Sequence, residues 1–216
     1  MGKVKIKKSD IWIDMTPMSD VMTLLLTFFM LTSTFVKNEP VRVLTPGSVS
    51  EIKVPENGVL TILVTPEKNA AGQPTGEGLV YMSLDNSNDM ENTLNSMVGG
   101  LTPKEIEAFK SDAIFGVPIK NMKSYLNLPS GQRPEYLTKD GGIPLDTISG
   151  EDRTNNSEFK QWVNAARQAN NNIKIALKAD ASTPYKTVKQ VMNQLQDMDE
   201  SHYYMITQLK KQEDDN

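Results

Sequence analysis

One segment of the chain is apolar and long enough to be predicted as a membrane-crossing helix. Residues 15–36 read MTPMSDVMTLLLTFFMLTSTFV and contain a single charged side chain, Asp20. A helix of about 22 residues is roughly 30 Å long, which is the thickness of a bilayer's hydrocarbon core. A carboxylate at the centre of such a helix costs about 2.5–3.5 kcal/mol on insertion scales. An ionisable group in this position therefore predicts a functional role, most often in moving a proton or another ion.

The distribution of charge predicts the orientation of this helix. Four lysines and two aspartates give residues 1–15 a net charge of +2, whereas residues 37–216 sum to −5. Lysines placed just before a single span favour a cytoplasmic N-terminus. We therefore expect a cytoplasmic tail at residues 1–15, a transmembrane helix at residues 16–36, and the remaining chain in the periplasm of a Gram-negative cell. The predicted location is the bacterial inner membrane.

A cleaved signal peptide is the competing interpretation of the same segment. Its basic region would be residues 3–8 and its apolar core residues 21–31. Asp20 interrupts the start of that apolar run, and no A-x-A-like cleavage site follows it. The apolar run also continues to Val36. These features favour an uncleaved anchor.

Read as a helix, the segment has one polar face. Thr16 is predicted to cap it and Pro17 to occupy its first turn. At about 100° per residue, several hydroxyl side chains fall near Asp20. The predicted pore-facing stripe consists of Thr16, Ser19, Thr23, Thr27 and Thr34. Because a lone helix would turn this stripe toward lipid, the stripe predicts partner helices.

A structural interpretation of the same residues stays open. An aspartate in a first turn complements the helix dipole and can lie among the lipid headgroups. Threonine hydroxyls within a span can also bond to their own helix backbone. In that case neither Asp20 nor the stripe would have a role beyond stabilising the helix.

Composition excludes several classes of function. There is no cysteine and one histidine, His202, so neither a disulfide scaffold nor a typical zinc site is expected. The net charge of −4 argues against a nucleic-acid partner. No phosphate-binding loop, nucleophile elbow or metalloprotease motif is present. We therefore predict a protein that is not an enzyme and that needs no metal or cofactor.

The chain after the helix is predicted to be a linker followed by a small domain. Residues 37–56 contain three prolines and a glycine, which is typical of an extended linker. Residues 57–216 belong to the α+β class, as a periplasmic two-layer α/β-sandwich with a long insertion. The predicted strands are residues 59–64, 79–84, 173–177 and 203–206. The predicted helices are residues 158–169 and one that starts at Thr183-Pro184.

The insertion covers roughly residues 86–150. Thr102, Pro103 and Glu105 form a capping box and predict a helix over residues 101–109. The prolines and glycines that follow, from Gly116 to Gly142, predict loops with short apolar contacts. The insertion is interpreted either as a surface elaboration packed on the domain or as a docking surface for a partner.

Two motifs resemble the ExbD/TolR family. Residues 13–26 read IDMTPMSDVMTLLL, and Thr16, Pro17, Asp20 and Val21 fit the start of that family. Residues 173–180 read IKIALKAD, and Tyr185 follows five residues after Asp180. Asp180 and Tyr185 fit a second family motif, which lies near the C-terminus. Ser19 departs from the pattern, because the family usually has an apolar residue there.

The resemblance implies a proton-driven motor subunit. In the family, the aspartate at the position of Asp20 takes up and releases protons inside a pore of ExbB- or TolQ-like helices. The implied partners are an ExbB-like multi-span pentamer around the helix, a second copy of the chain, and a TonB-like energy transducer. The implied process is TonB-dependent outer-membrane transport. The alternatives are a TolR-like envelope-integrity subunit, a gliding or secretion motor subunit, or a single-span periplasmic scaffold without motor activity.

Overall fold

The structure is a computed structural model of the chain. It describes residues 14–33, 40–41, 43–48, 54–55, 57–68, 73–146, 157–200 and 202–209. The chain divides into two compact units, Met1–Val36 and Lys37–Asn216. We call them the N-terminal unit and the C-terminal unit.

The N-terminal unit contains helix α1, Thr16–Thr32. Thr16 is the first residue of the helix and not its cap, which differs from the sequence prediction. The carboxylate of Asp14 instead accepts hydrogen bonds from the backbone N–H of Thr16, at 2.9 Å, and from its hydroxyl. The helix ends where the backbone N–H of Ser33 donates to the Phe29 carbonyl oxygen. The predicted helix end at residue 36, and Thr34 with it, lie outside the described residues.

Helix α1 has 17 residues. Among the described residues, no helix combines the length and the apolar character needed to cross a bilayer.

The C-terminal unit is built on a four-stranded sheet in the order β3-β2-β4-β5. Strand β2 (Val59–Lys68) pairs antiparallel with β3 (Pro74–Leu84) and parallel with β4 (Lys174–Ala179). Strand β5 (Tyr203–Met205) pairs parallel with β4. A separate parallel pair joins β1 (Gly47–Ser48) to β6 (Gln208–Leu209). The predicted α+β class is confirmed, and each of the four predicted strands lies within or overlaps a strand of this sheet.

One face of the sheet forms the centre of the core. Leu60, Ile62 and Val64 alternate along β2, and all three are fully buried. Ile62 lies opposite Met82 of β3 on one side and opposite Leu177 of β4 on the other. Side chains that alternate along a strand share a face. These three side chains therefore share one buried face of the sheet.

One helix of this unit makes polar contacts with two others. Helix α6 (Glu158–Ala169) has the predicted bounds and is capped by the Ser157 hydroxyl, which accepts the Lys160 backbone N–H. The Lys160 ammonium pairs at 2.9 Å with Asp197, which caps the C-terminus of α7 (Tyr185–Gln196). At the C-terminal end of α6, Asn170 donates at 2.9 Å to Asp89 of α2 (Ser87–Met97). Helix α6 is therefore joined to both α7 and α2 by polar contacts.

The approach of α7 to the sheet depends on a glycine. A Cβ atom at Gly78 of β3 would lie 2.8 Å from the side chain of Thr187, which is buried in α7. That separation is shorter than van der Waals contact, so a larger residue at 78 would push α7 away from β3.

The insertion contains more helix than its composition predicted. Helix α3 (Pro103–Ser111) has the predicted capping box, with reciprocal bonds between Thr102 and Glu105. The predicted loop after residue 116 is wrong, because helices α4 (Ile119–Leu126) and α5 (Arg133–Asp140) lie there. Both have eight residues. Pro118 caps α4 and Pro134 lies in the first turn of α5, where proline is tolerated, so these prolines start helices and do not indicate loops.

A buried ionic contact holds the insertion helices together. Asp112, which ends α3, accepts at 2.9 Å from both the Arg133 guanidinium of α5 and the Tyr125 hydroxyl of α4. Arg133 also donates to the Ala108 carbonyl oxygen at 2.6 Å. Burial, followed by the adjacent Asp112 carboxylate, raises the pKa of Tyr125. Removing one partner of such a buried pair would leave an uncompensated charge.

The insertion also covers one edge of the sheet. Phe115 exchanges two backbone hydrogen bonds with Met82 of β3, at 2.7 and 2.8 Å. Ile143 donates its N–H to the Val80 carbonyl oxygen at 2.8 Å. The Phe115 ring packs on Phe109 and Trp162, with centroids 4.9 and 5.1 Å apart. The insertion therefore contributes side chains to the core of the C-terminal unit and is not only attached to its surface.

We expect Phe115→Ala to lower the free energy of unfolding by about 3–5 kcal/mol, because it opens a cavity beneath two aromatic rings. The measurement is a denaturant titration of the full chain in detergent, followed by tryptophan fluorescence. Tyr185→Ala is the matched control: Tyr185 is 74% exposed, and its removal should change stability by no more than about 0.5 kcal/mol. Equal effects of the two substitutions would contradict the placement of the insertion in the core.

Candidate functional site

Asp20 lies just beyond the first turn of α1 and is exposed. Among residues 14–33, the other charged side chain is Asp14. Within the part of the chain that the structure describes, no hydrogen bond to the Asp20 carboxylate is formed. An ionised carboxylate that leaves water needs donors. Donors for Asp20 would therefore have to come from outside the described residues.

Three hydroxyls of the predicted stripe bond to backbone carbonyl oxygens one turn earlier. Ser19 donates to the Met15 carbonyl oxygen at 3.3 Å. Thr23 donates to Ser19 O at 2.8 Å, and Thr27 to Thr23 O at 2.9 Å. Each hydroxyl has one hydrogen and two acceptor lone pairs. In this arrangement the stripe presents acceptors, because its donors are already in use.

The rest of α1 is an apolar surface without a partner among the described residues. Fourteen large apolar side chains of the described chain are strongly exposed, and eleven of them belong to the N-terminal unit. These eleven are Met15, Met18, Val21, Met22, Leu24, Leu25, Leu26, Phe28, Phe29, Met30 and Leu31. A contiguous apolar surface of this kind marks contact with lipid or with other protein.

Asp180 lies in the C-terminal unit, directly after β4, and joins two distant segments. One carboxylate oxygen accepts the backbone N–H of Leu44 at 2.8 Å. The other accepts the backbone N–H of Ser182 at 2.9 Å and its hydroxyl at 2.5 Å. The N–H of Ala181 completes the contact by donating to the Leu44 carbonyl oxygen at 2.8 Å. Asp180 therefore shapes its own turn and also holds residue 44.

Part of the predicted extended linker lies against the C-terminal unit. Val41, Val43 and Thr45 are buried at 8–9% exposure, whereas Leu44 is 71% exposed. The alternation is that of an extended segment with one side on a surface. Val41 and Val43 belong to the same apolar cluster as the sheet. We call residues 43–46 the docked segment.

Asp180 and Tyr185 lie at the two ends of the connection between β4 and α7 and differ in their surroundings. Tyr185 is the first residue of α7, and its ring is largely exposed.

Sequence reasoning missed Asp14 and Leu44. The signal for Asp14 was an acidic residue two positions before a helix, and for Leu44 it was the alternation of Val41 and Val43. Among the described residues, no three acidic or histidine side chains cluster closely enough to hold a metal ion.

Comparison with known proteins gives a family match. The family model described as "Biopolymer transport protein ExbD/TolR" matches residues 7–209. The matched range includes Asp20, the insertion, Asp180 and Tyr185. No curated protein and no solved structure matches the chain.

We expect Asp180→Ala to release the docked segment. A hydrogen bond to a charged group is worth about 1.5–3 kcal/mol, so the Leu44 amide should exchange its hydrogen about ten- to a hundredfold faster. The measurement is hydrogen–deuterium exchange of the full chain in detergent. Asp140→Ala, at the exposed end of α5, is the control and should leave Leu44 unchanged. An unaltered exchange rate at Leu44 in Asp180→Ala would contradict this role of Asp180.

Proposed function

The chain belongs to the ExbD/TolR family of biopolymer transport proteins, and from this premise we propose that it is an ExbD-like subunit of an inner-membrane motor. The motor would be driven by the proton-motive force and would energise TonB-dependent outer-membrane transport. Members of this family are inner-membrane transport subunits and not enzymes. The proposal assigns proton binding to Asp20 in particular.

The proposal rests most on the lack of hydrogen-bond donors for Asp20 on its own helix. It is a carboxylate on a helix whose other side chains are apolar or hydroxylated, and its own helix supplies it with no donor. A carboxylate in such surroundings is stable when it is protonated or when a partner supplies donors. Alternation between those two conditions is what a proton carrier requires.

The proposed topology follows from the charge distribution. Residues 1–15 have a net charge of +2 and residues 37–216 a net charge of −5. The positive-inside rule then favours a cytoplasmic N-terminus, residues 16–36 across the inner membrane, and a periplasmic C-terminal unit. In that topology Asp20 would lie near the cytoplasmic end of the span.

The proposed partners are helices that cover α1. The exposed apolar surface of α1 and its acceptor stripe suit a site inside an ExbB-like multi-span pentamer, next to a second copy of this chain. The membrane potential supplies about 2.3 kcal/mol per charge per 100 mV. Protonation removes the charge of Asp20 and so changes which surroundings α1 prefers. Repeated protonation and release would move the helix relative to its partners.

The docked segment would pass that motion to the C-terminal unit. Residues 43–46 follow α1 along the chain and are held by Asp180 and by burial of Val43 and Thr45. A displacement of the chain before Val43 would therefore act on the turn between β4 and α7. In the proposed motor, the C-terminal unit would engage a TonB-like energy transducer.

A TolR-like envelope-integrity subunit, a gliding or secretion motor subunit, and a periplasmic scaffold are the alternatives. The first two would use Asp20 in the same way and differ in the outer partner. A deletion strain separates the ExbD-like role from the TolR-like role. Loss of nutrient uptake favours the ExbD-like role, and leakage of the outer membrane favours the TolR-like role. A scaffold need not purify with multi-span proteins. The mass of the intact complex from membranes therefore tests the motor assignment.

We expect Asp20→Asn to abolish energised transport and to leave assembly intact. Asparagine has nearly the same shape as aspartic acid but cannot release a proton. The measurement is uptake by cells that contain only the variant, together with the mass of the purified complex. Asp140→Asn makes the same chemical change on an exposed helix end and should leave uptake unchanged. Normal uptake in Asp20→Asn cells would refute the proposal.

A further inference from the structure

A buried carboxylate joins the insertion to helix α6. Glu158 is the first residue of α6 and is 8% exposed. One of its carboxylate oxygens accepts the backbone N–H of Ile119, the first residue of α4, at 2.8 Å. The two residues are 39 positions apart in sequence. This hydrogen bond therefore attaches the start of α4, inside the insertion, to a helix outside it.

The surroundings of Glu158 contain few donors for an ionised carboxylate. Its two oxygens could accept about four hydrogen bonds. Among the described residues, Ile119 provides the one donor in hydrogen-bond geometry. The indole N–H of Trp162, one turn further along α6, is buried and forms no hydrogen bond. A buried carboxylate with so few donors is costly, whereas the protonated carboxyl has no charge to desolvate.

The balance of these effects favours the protonated form. Burial raises the pKa of Glu158. The Ile119 N–H, the Trp162 indole and the Lys120 ammonium lower that pKa, but they do not cancel the effect of burial. Lys120 lies on α4 and is exposed. Its charge is therefore the one that acts on Glu158 from the insertion.

The other charged side chains on α6 and on the helices joined to it are either engaged elsewhere or exposed. The engaged groups form four contacts, which are Lys160 with Asp197, Arg167 with Glu200, Glu91 with Lys110, and Asp89 with Asn170. The exposed groups are Lys123 of α4 and Lys186 and Lys189 of α7. The protonation of Glu158 consequently depends mainly on whether its carboxyl is buried.

We propose that protonation of Glu158 strengthens the attachment of the insertion to α6, so that the insertion responds to pH. The carboxyl is buried while α4 is attached and meets water when α4 moves away. A carboxyl with a raised pKa in the attached state binds its proton more tightly there, so protons favour attachment. The attachment is strongest below the ordinary pKa of a glutamate and weakens as the pH rises through the raised pKa. The proposal concerns the C-terminal unit and is independent of proton binding by Asp20.

The expected consequence is a pH-dependent cover over the edge of the sheet. Ile119 follows Phe115 by four residues, and Phe115 exchanges two backbone hydrogen bonds with Met82 of β3. When α4 detaches, these two bonds have to hold the edge without the contact at Glu158. The insertion would therefore cover β3 more firmly in acid than at neutral or alkaline pH.

The test is hydrogen–deuterium exchange of the full chain in detergent, between about pH 4 and about pH 8. The rates are corrected for the intrinsic effect of pH, so that they report the opening of each amide. We expect the Ile119 amide to open about three- to tenfold more often at the higher pH. One unit of raised pKa corresponds to about a factor of ten in this equilibrium.

Three variants identify the group that is responsible. Glu158→Gln keeps the acceptor oxygen for Ile119 but cannot ionise, so the pH response of this amide should disappear. Lys120→Gln removes the positive charge that favours ionised Glu158, so the response should move to higher pH. Glu107→Gln makes the same change as Glu158→Gln on an exposed residue of α3 and should retain the parent response.

The proposal is overturned by any of three results. The first is an Ile119 amide that opens equally often at both ends of the pH range in the parent. The second is a Glu158→Gln variant that retains the parent response, because another group would then be titrating. The third is a Lys120→Gln variant whose response stays at the parent pH or moves to lower pH. This surface substitution keeps the test decisive even if Glu158→Gln does not fold.

Discussion

The pairing of β2 along both of its edges is the constraint on which the C-terminal unit depends. Antiparallel β3 follows β2 directly, whereas parallel β4 comes after an excursion of about ninety residues. A parallel neighbour needs a crossover connection, which is usually helical. Here the crossover contains α2 to α6, and its middle part covers the outer edge of β3 through Phe115 and Ile143. The insertion is therefore part of the connection that makes the sheet possible.

The same pairing determines where Asp180 lies. The carbonyl oxygen of Val64 in β2 accepts the backbone N–H of Asp180 at 2.9 Å and the hydroxyl of Thr183 at 3.1 Å. This fixes the turn after β4 beside Val64, where the pairing of β2 with β4 ends. The carboxylate of Asp180 is thereby positioned to hold Leu44. The sheet, the turn and the docked segment are consequently coupled through a few hydrogen bonds.

The hydrogen bonds of the N-terminal unit, in contrast, join residues that are close in sequence. Its helix satisfies its polar groups within itself: hydroxyls bond to carbonyl oxygens one turn earlier, and Asp14 accepts the first free N–H. What remains is an apolar surface with one carboxylate, Asp20, and oxygen acceptors beside it. This helix forms its own local hydrogen bonds, but none of the described residues donates one to the carboxylate of Asp20. The family match, which extends over residues 7–209, is consistent with a protein that works in an assembly.

The sequence by itself determined the features that arise from neighbouring residues. Helix α6 has its predicted bounds because the Ser157 cap and the spacing of Phe159, Trp162 and Val163 are local signals. The capping box of α3 is local for the same reason. Helices α4 and α5 escaped prediction because they are short and lie among prolines and glycines, so that packing of Met122 and Leu137 into the core, not propensity, stabilises them. The strand order, the covered edge of β3 and the bond between Asp180 and Leu44 were decided by tertiary structure alone. The residues in that bond are 136 positions apart, and their meeting depends on where the pairing of β2 with β4 places the turn after β4.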